Sequence, residues 1–143
     1  KMLQAAMQAP SAGNQQPWQF IILTEKEQLN ALANVLPYGQ SLRSAPLAIA
    51  VCGDLSRETH SGYWVQDCSA ATQNLLLAAH ALDLGAVWLG VYPREQRVVD
   101  VRSVLGAPES VVPLCVISIG YPKEPIQPKS IRYDQSRTHQ DRW

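Results

Sequence analysis

Residues 9–18, APSAGNQQPW, decide how the rest of the chain is read. The stretch holds two prolines, a glycine, an asparagine and two glutamines, then runs straight into the apolar QFIIL. A plain surface turn needs one or two such residues. Pro10 disfavours helical geometry in the residue before it. Residues 1–8 therefore read as a helix that stops here, and residues 18–23 as a strand that starts here. Pro10 and Pro17 stiffen the segment between them. Within it, Ser11, Asn14 and Gln16 carry hydroxyl and carboxamide groups that both donate and accept. Two readings fit these residues: a binding loop, or a connector whose polar side chains satisfy its own backbone.

Working outward, the 143 residues suit one domain with a real core. Apolar residues make up 46% and charged ones only 17%, a balance that points to another subunit covering part of the surface. Formal charge is zero, so neither nucleic acid nor an anionic membrane is expected as a partner. No apolar run is long enough for a membrane span. Cys52 and Cys115 sit in apolar runs and Cys68 in a small-residue stretch. These are read as buried free thiols, in keeping with a reducing, cytoplasmic setting. There is no C-x-x-C, and His60, His80 and His139 are far apart in sequence, so no metal site is expected.

Further along, Thr24 and Glu27 form a capping-box signature for a helix to about Leu36. Residues 47–52 read as a second strand. Residues 63–84 read as a long helix rich in small side chains (Ser69, Ala70, Ala71, Ala78, Ala79, Ala81), with Gly85 at its end. AVWLGVY gives a third strand. Pro93 is placed to open the next helix and Gly106 to close it. VVPLCVISIGY gives a fourth strand. After Tyr121 come Pro122, Pro125 and Pro128, then IRYDQSRTHQDRW. Alternating strands and helices ordinarily suggest a parallel doubly wound sheet. The phosphate loops of that fold, G-x-G-x-x-G and G-x-x-x-x-G-K-[ST], are absent, as is the G-x-S-x-G elbow of hydrolases.

The segment AAMQAPSAGNQQPWQFIIL resembles the signature of the flavin-dependent nitroreductase family. YWVQDCSAATQNLLLAAHALDLGAVWLG is similar to that family's central helix and following strand, and ISIGYPKEP and RYDQSRTHQDRW extend the likeness nearly through the chain. The resemblance implies an α+β fold instead: a three-layer α/β/α sandwich with a mainly antiparallel sheet, forming an intertwined homodimer with FMN at the subunit interface. Residues 1–143 then form one FMN-binding domain, with 123–143 as an extended arm. The family's Arg-Arg-Ser segment has no counterpart here: either an upstream segment is missing or the chain binds flavin without it.

By the same resemblance, Pro10, Ser11 and Asn14 contact FMN, with Gln16 beside them. The backbone near Leu89 and Gly90 presents an N–H to the flavin ring, and Gly90 permits close approach. Trp88 is either a core aromatic, the more usual fate, or a neighbour of the ring. Gln40, Ser41 and Arg43 are candidates to reach the partner's flavin. Lys129 and Arg132 are candidates for the phosphate, against a solvated tail. Asp67 is an active-site group or a paired helix acid. His60 and His139 lack a catalytic spacing, and His80 reads as a helix-packing residue. The implied reaction passes hydride from NADH or NADPH to FMN and then electrons to a small-molecule acceptor, a nitroaromatic, a quinone or a flavin, through one pocket. The alternatives are a same-fold flavin fragmentation or dehalogenation enzyme, and a non-catalytic flavin-binding dimer.

Overall fold

The computed structural model describes residues 1–124 and 132–143. Lys129 lies outside the described residues. The chain runs α1 (Met2–Ala6), β1 (Trp18–Leu23), α2 (Lys26–Val35), β2 (Leu47–Asp54), α3 (Trp64–His80), β3 (Gly85–Gly90), α4 (Glu95–Leu105) and β4 (Val111–Gly120). Single 3-10 turns occur at Ala12–Asn14, Gly39–Arg43, Leu55–Arg57 and Gln135–Arg137.

The strands form one sheet in the order β1-β2-β4-β3, and every neighbouring pair is antiparallel. The parallel sheet suggested by alternation is thus overturned, and the sandwich implied by the resemblance is found. Alternation fixes element order but not direction: α2 returns the chain to the neighbour of β1, and α4 inserts β4 between β2 and β3. Residues 48–53 of β2 and 112–119 of β4 are buried along their whole length. Continuous burial requires cover on both faces of the sheet. Helix α3 lies across all four strands with α1 packed on it, while α4 packs on β4 with α2 beside it. Three layers result.

Pro113 sits in this central sheet because the ladder breaks there. Val51 pairs with Cys115 but Cys52 pairs with Pro113, leaving Leu114 as the extra residue of a bulge. A proline, with no N–H for the ladder, is tolerated at such a point.

Several local expectations need correction. The Thr24/Glu27 capping box does not form: Glu25 is the N-cap of α2, with no side-chain cap bond. Helix α3 stops at His80, short of Leu84, and Gly85 is the first residue of β3. Asp83, at φ 58°, takes the left-handed position expected of a glycine. Pro93 precedes Arg94, the N-cap of α4, instead of opening the helix. Gly106 does close α4 in the left-handed conformation. Cys52, Cys68 and Cys115 are buried and free. No helix among the described residues is long and apolar enough to cross a membrane.

Candidate functional site

Between Pro10 and Trp18 the backbone doubles back through three left-handed residues, Gly13 (φ 52°), Asn14 (φ 57°) and Gln16 (φ 49°). Only glycine takes that conformation without steric cost, so other contacts must hold the loop. Ser11 Oγ accepts from the Gln16 N–H at 3.1 Å, and Asn14 Oδ1 accepts from Gln16 Nε2 at 2.8 Å. Asp67, buried in the first turn of α3, accepts from the Ala12 N–H at 2.9 Å and from Gln15 Nε2 at 2.7 Å. Gln15 Oε1 in turn accepts from the N–H groups of Thr59 (2.8 Å) and His60 (2.9 Å). The Asp54 N–H donates to the Pro17 carbonyl at 2.8 Å, and Trp18, 7% exposed, roots the loop in the core.

Asp67 is therefore a paired acid that ties the loop to α3. The opposite end of the α3 first turn is also satisfied, since the Trp64 N–H donates to Glu58 Oε1 at 3.1 Å. With two carboxylates on the positive end of this helix, α3 is a poor place for a further anion. Beside the loop opens a cavity of about 310 Å³ whose lining includes Pro10, Ser11, Tyr63, Gln66, Asp67 and Ala70.

The second element is the end of β3. The bulge carbonyl of Leu114 accepts from both the Val91 and Tyr92 N–H groups, each at 3.1 Å. In an antiparallel ladder successive N–H groups point to opposite sides. Val91 points its N–H at β4, so Gly90 turns its own to the open edge of the sheet. Gly90 is exposed, and an added Cβ would meet nothing within 4 Å. Its carbonyl accepts from Arg97 Nη1 at 3.3 Å. Leu89 is buried, whereas Trp88 is 37% exposed on the edge strand, not the core aromatic that its type favours.

The loop and Gly90 lie towards the same end of the sheet but on opposite edges. Three inter-strand steps of about 4.8 Å separate β1 from β3, roughly 14 Å in all. Gln40 and Arg43 are not brought to either place. Arg43 Nε donates to Gln40 Oε1 at 3.1 Å and its Nη2 to Asn34 Oδ1 at 2.7 Å, while Lys26 Nζ donates to the Arg43 carbonyl. This turn is held to α2. Ser41 lines a separate cavity of about 270 Å³ at the start of β3, with Ser44, Val87 and Ser118.

Arg132 is exposed in the tail. His139 stacks on Trp143 with ring centroids 4.3 Å apart. His80 is exposed at the end of α3, not packed between helices. His60 lies against Gly13, closer to the loop than its sequence position suggested. Sequence reasoning missed Gln15 and Arg97. Nothing in the sequence separated Gln15 from its neighbour Gln16, and Arg97 carries no local motif.

The Nitroreductase family model matches residues 1–37 and 29–121 of the chain. A protein of Methanothermobacter thermautotrophicus named "Putative NADH dehydrogenase/NAD(P)H nitroreductase" is 49% identical over 143 residues, covering 100% of this chain and 74% of that one. A protein of the same name from Archaeoglobus fulgidus is 48% identical over 147 residues, covering 100% of this chain and 84% of its own length. Among solved structures, the FMN-dependent nitroreductase of Clostridium difficile R20291 superposes with a TM-score of 0.90 at 31% identity, over 99% of this chain and 85% of that one. Matches of this extent, on a chain with this antiparallel sandwich, mean that it belongs to the nitroreductase family.

Proposed function

We propose that this chain is an FMN-dependent oxidoreductase that takes reducing equivalents from NADH or NADPH and passes them to a small acceptor such as a nitroaromatic or quinone. The observation that carries this reading is the division of the site. A hydroxyl-and-carboxamide loop stands at one edge of the sheet, and at the other stands the outward backbone N–H of Gly90, an exposed residue with open space where a side chain would be. A homodimer that sets the loop of one subunit against the β3 edge of its partner completes each site. Helix α3 supports such pairing: its outer face carries Gln66, Gln73 and Leu77, the last 59% exposed, and no lysine, arginine or glutamate.

The donor set suits FMN. Ser11, Asn14 and Gln16 can donate to and accept from the pyrimidine edge and the polyol. Because the side-chain amides of Asn14 and Gln16 bond only to each other among the described residues, each retains capacity for a ligand. The Gly90 N–H, fixed by the Leu114 bulge, is a preorganised donor for negative charge that develops beside it. Arg97 on the Gly90 carbonyl places a positive charge on the adjoining Gly90–Val91 peptide. Glu58 and Asp67 occupy the start of α3, so the phosphate falls to basic groups elsewhere, with Arg132 and Lys129 the candidates in the tail. Bound FMN supplies two-electron transfer between nicotinamide and acceptor. One pocket used in succession gives ping-pong kinetics.

Absorbance of the purified full chain tests this reading. About one FMN per chain, bleached anaerobically by NADH or NADPH, is expected. A folded full chain that neither carries nor takes up FMN would overturn it. Flavin uptake without bleaching would leave a binding module, and intersecting steady-state lines would overturn the shared pocket.

A further inference from the structure

We propose that Gln15 is a positioning residue that holds the flavin loop in its binding shape, an inference that rests on the flavin reading above. Among the described residues, Gln15 is the one loop carboxamide that reaches other parts of the protein. It joins the loop to Asp67 on α3 and to the backbone of Thr59 and His60. Among the described residues, Asn14 and Gln16 bond only to each other and to Ser11.

The orientation of this amide is fixed by its neighbours. Oε1 faces two N–H donors and Nε2 faces a carboxylate oxygen. Turning the amide over would set its NH2 group against two N–H groups and its oxygen against the carboxylate. The second Asp67 oxygen holds the Ala12 N–H, so one buried acid and one amide together hold both ends of the 3-10 turn. Between those two anchors lie Gly13 and Asn14, with Gln16 next, the three left-handed residues of the loop. Left-handed non-glycine residues persist only where their surroundings over-determine them. Removing the Gln15 bridge leaves the Ser11–Gln16 bond and the Asp67–Ala12 bond to do so.

A carboxamide suits this place, because it donates to the acid from one end and accepts from two N–H groups at the other without carrying a charge. Gln15→Glu sets two carboxylates at hydrogen-bond distance. Combining it with Asp67→Asn restores the polarity in reverse: the introduced amide at position 67 keeps its oxygen for the Ala12 N–H and donates to the introduced acid at position 15. That acid's other oxygen still accepts from Thr59 and His60.

The test is a titration of flavin-stripped full chain with FMN, read by flavin fluorescence, for wild type, the two single variants and the pair. Gln15→Glu and Asp67→Asn should each weaken binding at least tenfold, and the pair should return to within threefold of wild type. A merely structural residue would lower the melting temperature without this pattern of loss and rescue. Gln15→Leu, where water can replace the amide at the exposed Thr59 and His60 N–H groups, reads the same loss if Gln15→Glu does not fold. Wild-type FMN binding that Gln15→Glu or Gln15→Leu leaves unchanged, or that the pair fails to recover, overturns the role of Gln15 alone. Wild type that binds no FMN overturns the flavin reading. Hydrogen exchange over residues 11–18 then still decides the loop-holding role, which falls if exchange is no faster in the single variants.

Discussion

Gly13 and His60 touch so closely that a Cβ on Gly13 would lie 2.1 Å from His60 Cε1. Gly13 also sits at φ 52°, where any side chain is strained. Gly13→Ala should therefore cost about 1–2 kcal/mol for the left-handed backbone alone, plus the displacement of the imidazole. Because His60 is exposed, its ring can move, so adding His60→Ala should recover the clash but not the backbone strain. Urea melts of the three variants separate the two. Full recovery by His60→Ala would mean that the backbone at position 13 carries no strain.

Gly53 on β2 faces a less forgiving neighbour. A Cβ there would sit 2.4 Å from Trp64 Cε3, and Trp64 is 6% exposed with Tyr92 edge-on at 4.9 Å. The indole cannot swing into solvent as His60 can. Overpacking of this kind costs about 1–3 kcal/mol. Gly53→Ala should lower the urea midpoint by the corresponding amount, and an unchanged midpoint would show that Trp64 has room to shift.

Strand β1 was legible to the residue, because Pro17 before it and Thr24 after it bracket an apolar run. Gly106 was legible too, since a glycine after a helical stretch has few other uses. Sheet direction was not legible in the local pattern and came only with the family resemblance. It depends on which strands meet after the helices have packed, and no local pattern records that. The Leu114 bulge could be suspected only from Pro113, and its consequence, two N–H groups on one carbonyl, is a tertiary fact. Similarly, the A-P-S-x-x-N-x-Q-P-W pattern marked the loop but could not tell which glutamine faces inward. That depended on Asp67, which lies 52 residues away.

The three core thiols should be inert until the protein opens. Burial pushes Cys52 up to about 12, with Arg102 opposing, and Cys115 up to about 12, with the Thr72 hydrogen bond opposing. Cys68 is raised as well, by burial first and then by the charge of Asp67. Unfolded thiols ionise near their ordinary 9.0 while the folded ones stay protonated, so the unfolded state releases protons first. Their contribution is constant below about pH 9 and turns against folding as pH rises towards 12. Iodoacetamide at pH 8 should label none of them in the native protein and all of them in urea. Rapid native labelling would contradict the burial.

Replacing Ser11 and Asn14 together by alanine should weaken FMN by about 2–4 kcal/mol, taking roughly 1–2 for each buried hydrogen bond lost. Part of that loss will come through Gln16, whose backbone N–H and side chain these residues hold. Gln16→Ala alone, which spares both partners and the backbone bond to Ser11, measures the side-chain part of that share. An unchanged affinity in the double variant would reduce the loop to a connector between α1 and β1.

Deleting residues 123–143 should lower dimer stability and FMN retention together. Among the described tail residues, Tyr133 is 69% exposed and Trp143 is 99% exposed, which suits an arm whose resting place is another subunit. Local order is already present: Asp134 accepts from the Ser136 N–H at 3.0 Å and from its hydroxyl at 2.7 Å, and it pairs with Arg137 at 3.1 Å. These contacts hold the Asp134 carboxyl below its ordinary range, the Ser136 hydroxyl first among them. A preformed turn loses less entropy on docking than a free chain would. Burying the two aromatic side chains would contribute roughly 3–6 kcal/mol, at about 1.5–3 each, partly offset by ordering the rest of the arm. Arg132 and Lys129 leave with the deletion, so flavin should be lost even where the dimer survives at high protein concentration. Sedimentation of the truncated chain, with its flavin absorbance followed in the same run, measures both. A truncated protein that stays dimeric, melts at the wild-type temperature and keeps its flavin would remove the arm and the phosphate assignment together. Loss of flavin from a truncated chain whose dimer dissociates no more readily on dilution than wild type would instead retain the phosphate role and discard the arm.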